Sequence, residues 1–138
     1  MAAPKKVFIT CAATDIDAAR KLADELSDLG ISALSAPDDF APGANWRLEV
    51  GKALGEADAV LVLVSPASMK SEFVMKDVEY ALSTPRLKRR LIPIKVKATN
   101  EFPWVFEKLQ FLDATKRITG VGKRVAKALE GPAGTSRG

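Results

Sequence analysis

Short runs of β-branched and aromatic residues alternate along this chain with longer segments whose apolar residues recur at helical spacing, and this alternation restricts the fold more than any other feature. "KKVFIT" is followed by "TDIDAARKLADELSDLG", where Thr14 and Asp17 are read as a capping box and Gly30 as the helix stop. "ISALS" leads into the turn-rich "APDDFAPGAN", then a helix from about Trp46 to Glu56 and the strongly apolar run "ADAVLVLVS". "SEFVMKDVEYAL", residues 71 to 82, reads as the next helix, and "RRLIPIKVK" as a fourth strand. A short helix is expected near "PWVFEKL", a weak fifth strand in "QFLDA" and a last helix in "GVGKRVAKALE".

Five strand-helix alternations predict an α/β fold: a flavodoxin-like, doubly wound, five-stranded parallel sheet of order 2-1-3-4-5, with helices on both faces. One domain is expected over residues 1–130, with residues 131–138 a disordered tail. In such a sheet ligands sit beyond the carboxyl ends of the strands, where the order reverses between the first and the third. Thr10 to Thr14, Ser65 to Ser68 and the start of the helix at residue 71 are expected to line that crevice.

That helix carries an anomaly. At about 100° per residue, Glu72, Lys76 and Glu79 share one arc, whereas Asp77 projects beside Phe73, Val74, Tyr80 and Ala81. A carboxylate at the edge of an apolar stripe suits a functional acid or an aspartate bonded to nearby backbone or to Arg47, and the residues alone leave both open. Glu49, by contrast, shares a polar arc with Lys52 and Glu56, the spacing of surface pairs. Arg47 projects near Val50 and Leu54, toward a ligand or with its stem laid over the apolar edge. Cys11 ends the first strand, where a buried small hydrophobe is favoured over a reactive thiol. "TGVGK" has a single residue between its glycines and is not a phosphate loop.

The chain has no histidine. Serine and cysteine triads lose their usual base and imidazole zinc sites are excluded, so no metal site is expected and any general acid or base must be Asp, Glu, Lys, Tyr or Cys11. The net charge of +4 is mostly local, in Arg86, Lys88, Arg89 and Arg90 and in Lys123, Arg124 and Lys127, which argues against a nucleic-acid partner. The first group lies at the edge opposite the crevice and reads as a solvated loop ahead of an interface. A single cysteine, the lack of a leader pattern and the shortness of the apolar runs point to the cytoplasm, with no membrane partner.

From about Lys6 to Leu129 the chain resembles a Toll/interleukin-1 receptor (TIR) domain of the bacterial type. "VFIT" followed by Asp15 is similar to the family's first strand and polar loop, "DDFAPGANW" to the loop after its second strand, and "LIPIKV" to its fourth strand. "ADAVLVLVSPASMKSEFVMKDVEYAL" resembles the most distinctive stretch: an apolar strand ending in Ser-Pro, then Ser, an aromatic residue and an acid four positions on. The resemblance implies one of two activities. The first is cleavage of NAD+ at the nicotinamide bond, in an immune, anti-phage or host-targeting pathway and activated by self-assembly. The second is a non-catalytic module that pairs with other TIR domains as a homo-oligomer or filament. NAD+ is then a substrate, and no cofactor is implied.

Carried over by position, Asp77 is the catalytic acid, although the family has glutamate there. Thr10, Cys11, Ala12, Asp15, Ser65, Ser68 and Phe73 would line the nucleotide site, with Trp46 and Arg47 helping to hold the substrate. Asp38, Asp39, Phe40, Pro42 and Gly43 would form an interface. Cys11 is a further departure, since an aromatic residue is common there. A third reading, a nucleoside deoxyribosyltransferase-like enzyme with a nucleophilic acid before a Tyr-Ala pair, as in "DVEYAL", ranks last because the Pro-Gly-Trp loop fits it poorly.

Overall fold

The computed structural model describes residues 6–35, 46–100 and 103–130, without the side chains of residues 46, 47, 49 and 130. Its strands are β1 (Lys6–Thr10), β2 (Ser32–Ser35), β3 (Ala59–Val64), β4 (Leu91–Lys95) and β5 (Leu112–Asp113). All pair in parallel, in the order β2-β1-β3-β4-β5 expected from the sequence. The connections are α1 (Ile16–Asp28), α2 (Trp46–Glu56), α3 (Pro66–Met69), α4 (Glu72–Ser83), α5 (Pro85–Lys88) and α6 (Trp104–Glu107), and α7 (Val121–Glu130) follows β5.

Strand alternation divides the core in two. Val7, Ile9, Leu61 and Leu63 pack against Leu22 and Leu26 of α1 and Val121, Val125 and Leu129 of α7. Phe8, Val60, Val62 and Val64 face Val50 and Leu54 of α2, Val74 and Val78 of α4, and Phe106. Every residue of β3 is therefore buried, which is why its sequence runs apolar without alternation. Pro93 lies within β4, where a proline is normally confined to an edge. Pairing with β5 begins only at Ile94, so β4 has a neighbour on one side alone at Pro93.

Gly30 ends α1 as expected. With φ at +83°, it lets the Gly30 N–H reach the Ser27 carbonyl at 3.0 Å and the Ile31 N–H the Leu26 carbonyl at 2.9 Å. The start of α1 differs from the expected capping box. A 3-10 turn, Ala13–Asp15, precedes the helix, and the residue at the cap position is Asp15, whose side chain makes no capping bond because it is engaged elsewhere.

The basic run between α4 and β4 also differs from a wholly solvated loop. Arg86 donates to the carbonyls of Gly55, at 3.1 Å, and Ala57, and Arg90 to that of Leu129 at 2.8 Å. Each guanidinium thereby satisfies carbonyls at the carboxyl end of a helix, α2 and α7 respectively, where a cation also suits the helix dipole.

"TGVGK" opens α7 beside α1. The Glu25 carboxylate accepts from the Gly120 N–H at 2.8 Å and the Gly122 N–H at 2.7 Å, so it occupies the helix N-terminus that a phosphate would need. No helix among the described residues is long and apolar enough to cross a membrane.

Candidate functional site

The site grows from the carboxyl ends of β1 and β3. Thr10, the last residue of β1, shares the face of Phe8 and so points toward α4. Ser71 starts α4 by accepting from the Val74 N–H at 3.3 Å. One and a half turns on, Asp77 stands between buried Val74, Val78 and Ala81 and the exposed rings of Phe73 and Tyr80. Only 6% of Asp77 is exposed, and its Oδ2 accepts a hydrogen bond from Thr10 Oγ1 at 2.8 Å. The carboxylate at the edge of the apolar stripe is thus tied to the carboxyl end of β1.

A second network closes the same rim on the α1 side of the sheet. Ser65, just after β3, caps α3 in a capping box with Ser68: Ser65 Oγ accepts from the Ser68 N–H at 3.1 Å, and Ser68 Oγ from the Ser65 N–H at 2.9 Å. Ser65 Oγ donates in turn to Asp15 Oδ2 at 2.5 Å, and Lys97 Nζ lies 3.1 Å from Asp15 Oδ1. These contacts join the loops after β1, β3 and β4.

The structure gathers Thr10, Asp15, Ser65, Ser68 and Asp77 at one end of the sheet. Ser65 and Ser68 are fully buried, their hydroxyls committed to the capping box and to Asp15. Cys11 and Ala12 are buried too, Cys11 as part of the α1-side core, while Phe73 is 50% exposed at the start of α4. Trp46 and Arg47 belong to the first turn of α2, with side chains outside the described set. Asp38, Asp39, Phe40, Pro42 and Gly43, like the expected tail at 131–138, lie outside the described residues. Among the described residues no group of histidine, cysteine, aspartate and glutamate is arranged to hold a metal ion.

With this geometry in view, comparison with known proteins is decisive about family: the model described as "TIR domain" matches residues 7–129. The chain belongs to the TIR-domain family. Solved structures similar to this TIR domain include that of the Toll-related receptor TRR-2 from Hydra magnipapillata, 22% identical with a TM-score of 0.67 over 90% of each chain. Another is a TIR-STING receptor from C. gigas in complex with 2',3'-cGAMP, 23% identical with a TM-score of 0.74 over 91% of this chain and 39% of that one. The TIR domains of the activated Roq1 resistosome are also similar, at 18% identity and a TM-score of 0.54, over 66% of this chain and 57% of that one. This TIR domain therefore spans well under two thirds of the latter two chains, and the likeness to all three is one of fold. No curated protein matches the sequence.

The far rim of the TIR sheet, beyond β5, is polar and cationic. Asp113 Oδ1 accepts from Thr115 Oγ1 at 2.6 Å and from the Thr115 N–H at 2.9 Å, and the Asp113 carbonyl accepts from Arg124 at 3.1 Å. The Thr115 hydroxyl, then its N–H, hold the Asp113 carboxyl below its ordinary value of 3.8, with smaller help from the charges of Lys95 and Arg124. A carboxyl lowered by folding adds stability above its unfolded pKa, and that stability is lost as pH falls through the folded one. Thr115→Ala removes the larger bond, so its Asp113 is expected to titrate nearer 3.8 in a carboxyl-detected NMR titration. An unchanged midpoint would refute the assignment.

One member of the rim, Lys97, escaped the sequence reading, and so did the bond between two residues that it singled out. The Thr10–Asp77 bond joins residues 67 apart, and nothing in either local stretch announces it. Lys97 closes the run "RRLIPIKVK" read as the fourth strand, whereas β4 ends at Lys95 and leaves Lys97 just beyond its carboxyl end.

Proposed function

We propose that this TIR domain cleaves NAD+ at the nicotinamide–ribose bond, with Asp77 as the carboxylate that stabilises the developing positive charge on the ribose. The observation that carries this reading is a buried aspartate, bonded to Thr10, at the carboxyl edge of the sheet. Nicotinamide departs as a neutral molecule and needs no general acid, so a chain without histidine is equal to the reaction. The ribose passes through an oxocarbenium-like state that a fixed anion favours, and water completes the cleavage. Aspartate is one methylene shorter than the glutamate of related domains, about 1.5 Å of reach. A misplacement of about 1 Å costs about a hundredfold, so the ribose must approach α4 closely. The Thr10 bond supports this reading because it holds the short carboxylate in one orientation.

A second reading, a non-catalytic TIR–TIR module, is favoured by the same bond, since a buried aspartate tied to its own strand also serves the fold. The activated Roq1 resistosome is an assembly that contains TIR domains. Self-association of this chain is compatible with either reading, and a site completed by a neighbouring copy would become active only on assembly.

Purified protein incubated with NAD+ at low and at high protein concentration, with free nicotinamide followed by chromatography, tests the choice. Release that rises more steeply than protein concentration is the expected result for an enzyme activated by assembly. No release at either concentration, from a protein that light scattering shows to be oligomeric, would overturn the enzymatic reading in favour of the module.

A further inference from the structure

We propose that Lys97 is the cation that receives the diphosphate of a nucleotide in this crevice, with buried Asp15 as the positioning residue that aims its ammonium. The inference rests on the nucleotide-cleaving reading for the identity of the ligand, but its geometry is independent of Asp77. The Asp15 side chain is 1% exposed and its Oδ2 is bound by Ser65. Its Oδ1 accepts no aligned hydrogen bond, although Lys97 Nζ stands 3.1 Å away, so the two groups attract as charges, and an ammonium with three donors has capacity for a further acceptor.

The backbone of Lys97 is anchored at the site. The Val96 N–H donates to the Val64 carbonyl at 2.9 Å, and the Lys97 N–H reaches the same oxygen at 3.4 Å, which places the root of the side chain beside Ser65. The Lys97 side chain is nonetheless 56% exposed. It is held on one side by a buried anion and is more than half exposed, at the end of the sheet where this strand order binds ligands.

Charge argues for the same role. A dinucleotide brings two negative charges to a rim that already holds the buried carboxylates of Asp15 and Asp77, and it needs a cation there to offset their repulsion. Lysine, a compact charge with three rotatable donors, is suited to bridging an internal carboxylate and a phosphate oxygen. If Lys97 served only to neutralise Asp15, a phosphate-free ligand and a diphosphate would respond alike to its loss.

Calorimetric titration of the full chain with ADP-ribose, which carries the diphosphate, and with nicotinamide riboside, which has no phosphate, separates these roles. Lys97→Gln is expected to weaken ADP-ribose by about tenfold or more, the worth of one charge-assisted hydrogen bond. It should leave nicotinamide riboside unchanged, and Lys97→Arg should restore most of the loss. Because Lys97→Gln leaves Asp15 buried without its cation, the double variant Asp15→Asn with Lys97→Gln is measured beside it. Asparagine still accepts from Ser65, and this neutral pair should melt near the parent temperature while losing ADP-ribose to the same extent.

Unchanged ADP-ribose affinity in a folded double variant would overturn the proposal, as would equal losses for both ligands or a parent chain that binds no ADP-ribose. Failure of the cleavage reading looks different. ADP-ribose binding that depends on Lys97, without nicotinamide release from NAD+, would support the diphosphate site and count against catalysis. Nicotinamide release with Lys97-independent binding would do the reverse.

Discussion

Asp77→Asn protein is expected to release nicotinamide from NAD+ about a thousandfold more slowly than the parent chain, while its melting temperature changes little. Asparagine keeps a carbonyl oxygen where Thr10 Oγ1 donates at 2.8 Å, so that bond survives while the charge is lost. Two unit charges about 4 Å apart interact by about 4 kcal/mol at an effective dielectric near 20, which corresponds to about a thousandfold in rate. Single-turnover rates measured beside thermal melts decide the matter. A folded Asp77→Asn chain that cleaves at the parental rate would remove the carboxylate from the mechanism. The complementary change, Thr10→Val, leaves the charge but removes the bond from the β1 strand that orients it. It is expected to slow release by about a hundredfold, the cost of about 1 Å of misplacement.

Gly122→Ala should be the most damaging single methyl group in the described part of the molecule. A Cβ at Gly122 would lie 2.5 Å from Glu25 Cβ and 2.8 Å from Glu25 Oε1. Glu25 cannot swing aside without releasing the N–H groups of Gly120 and Gly122, both of which it holds. The helices α1 and α7 must then separate over the core they share, where Leu22, Leu26, Val121 and Val125 meet. Overpacking of this kind costs about 1–3 kcal/mol, and a hydrogen bond to a charged group contributes about 1.5–3 kcal/mol. A loss of about 3 kcal/mol is expected, which lowers the melting temperature by about 10 °C. Glu25→Gly removes both the Cβ and the carboxylate that the new methyl would meet, so the double variant should recover part of the stability that Gly122→Ala loses. Urea denaturation of the four proteins measures this coupling, and strictly additive losses would contradict the contact.

The sheet was legible in the sequence because its signal is local and repeated. β3 is apolar at every position because helices cover both its faces, and its neighbours alternate with helices of clear periodicity. The flavodoxin-like order then followed from handedness and short connections. The start of α1 was misread because Thr14 and Asp17 have the spacing of a capping box, whereas the strongest local acceptor, Asp15, is drawn away by Ser65 and Lys97. The basic run was misread in part for a similar reason. Lysines and arginines in a row look solvated, yet Arg86 and Arg90 find helix carbonyls 29 to 39 residues away.

By itself, the sequence determined the α/β alternation, the strand order and the odd position of Asp77 on its helix. These rest on periodicity and on chain-connection rules that act over one or two elements. Only the tertiary structure decided that Thr10 holds Asp77, that Ser65 and Lys97 hold Asp15, and that Glu25 fills the start of α7. Those contacts join side chains brought together by sheet order and helix packing, and the local pattern around either partner is indifferent to the distant group it meets.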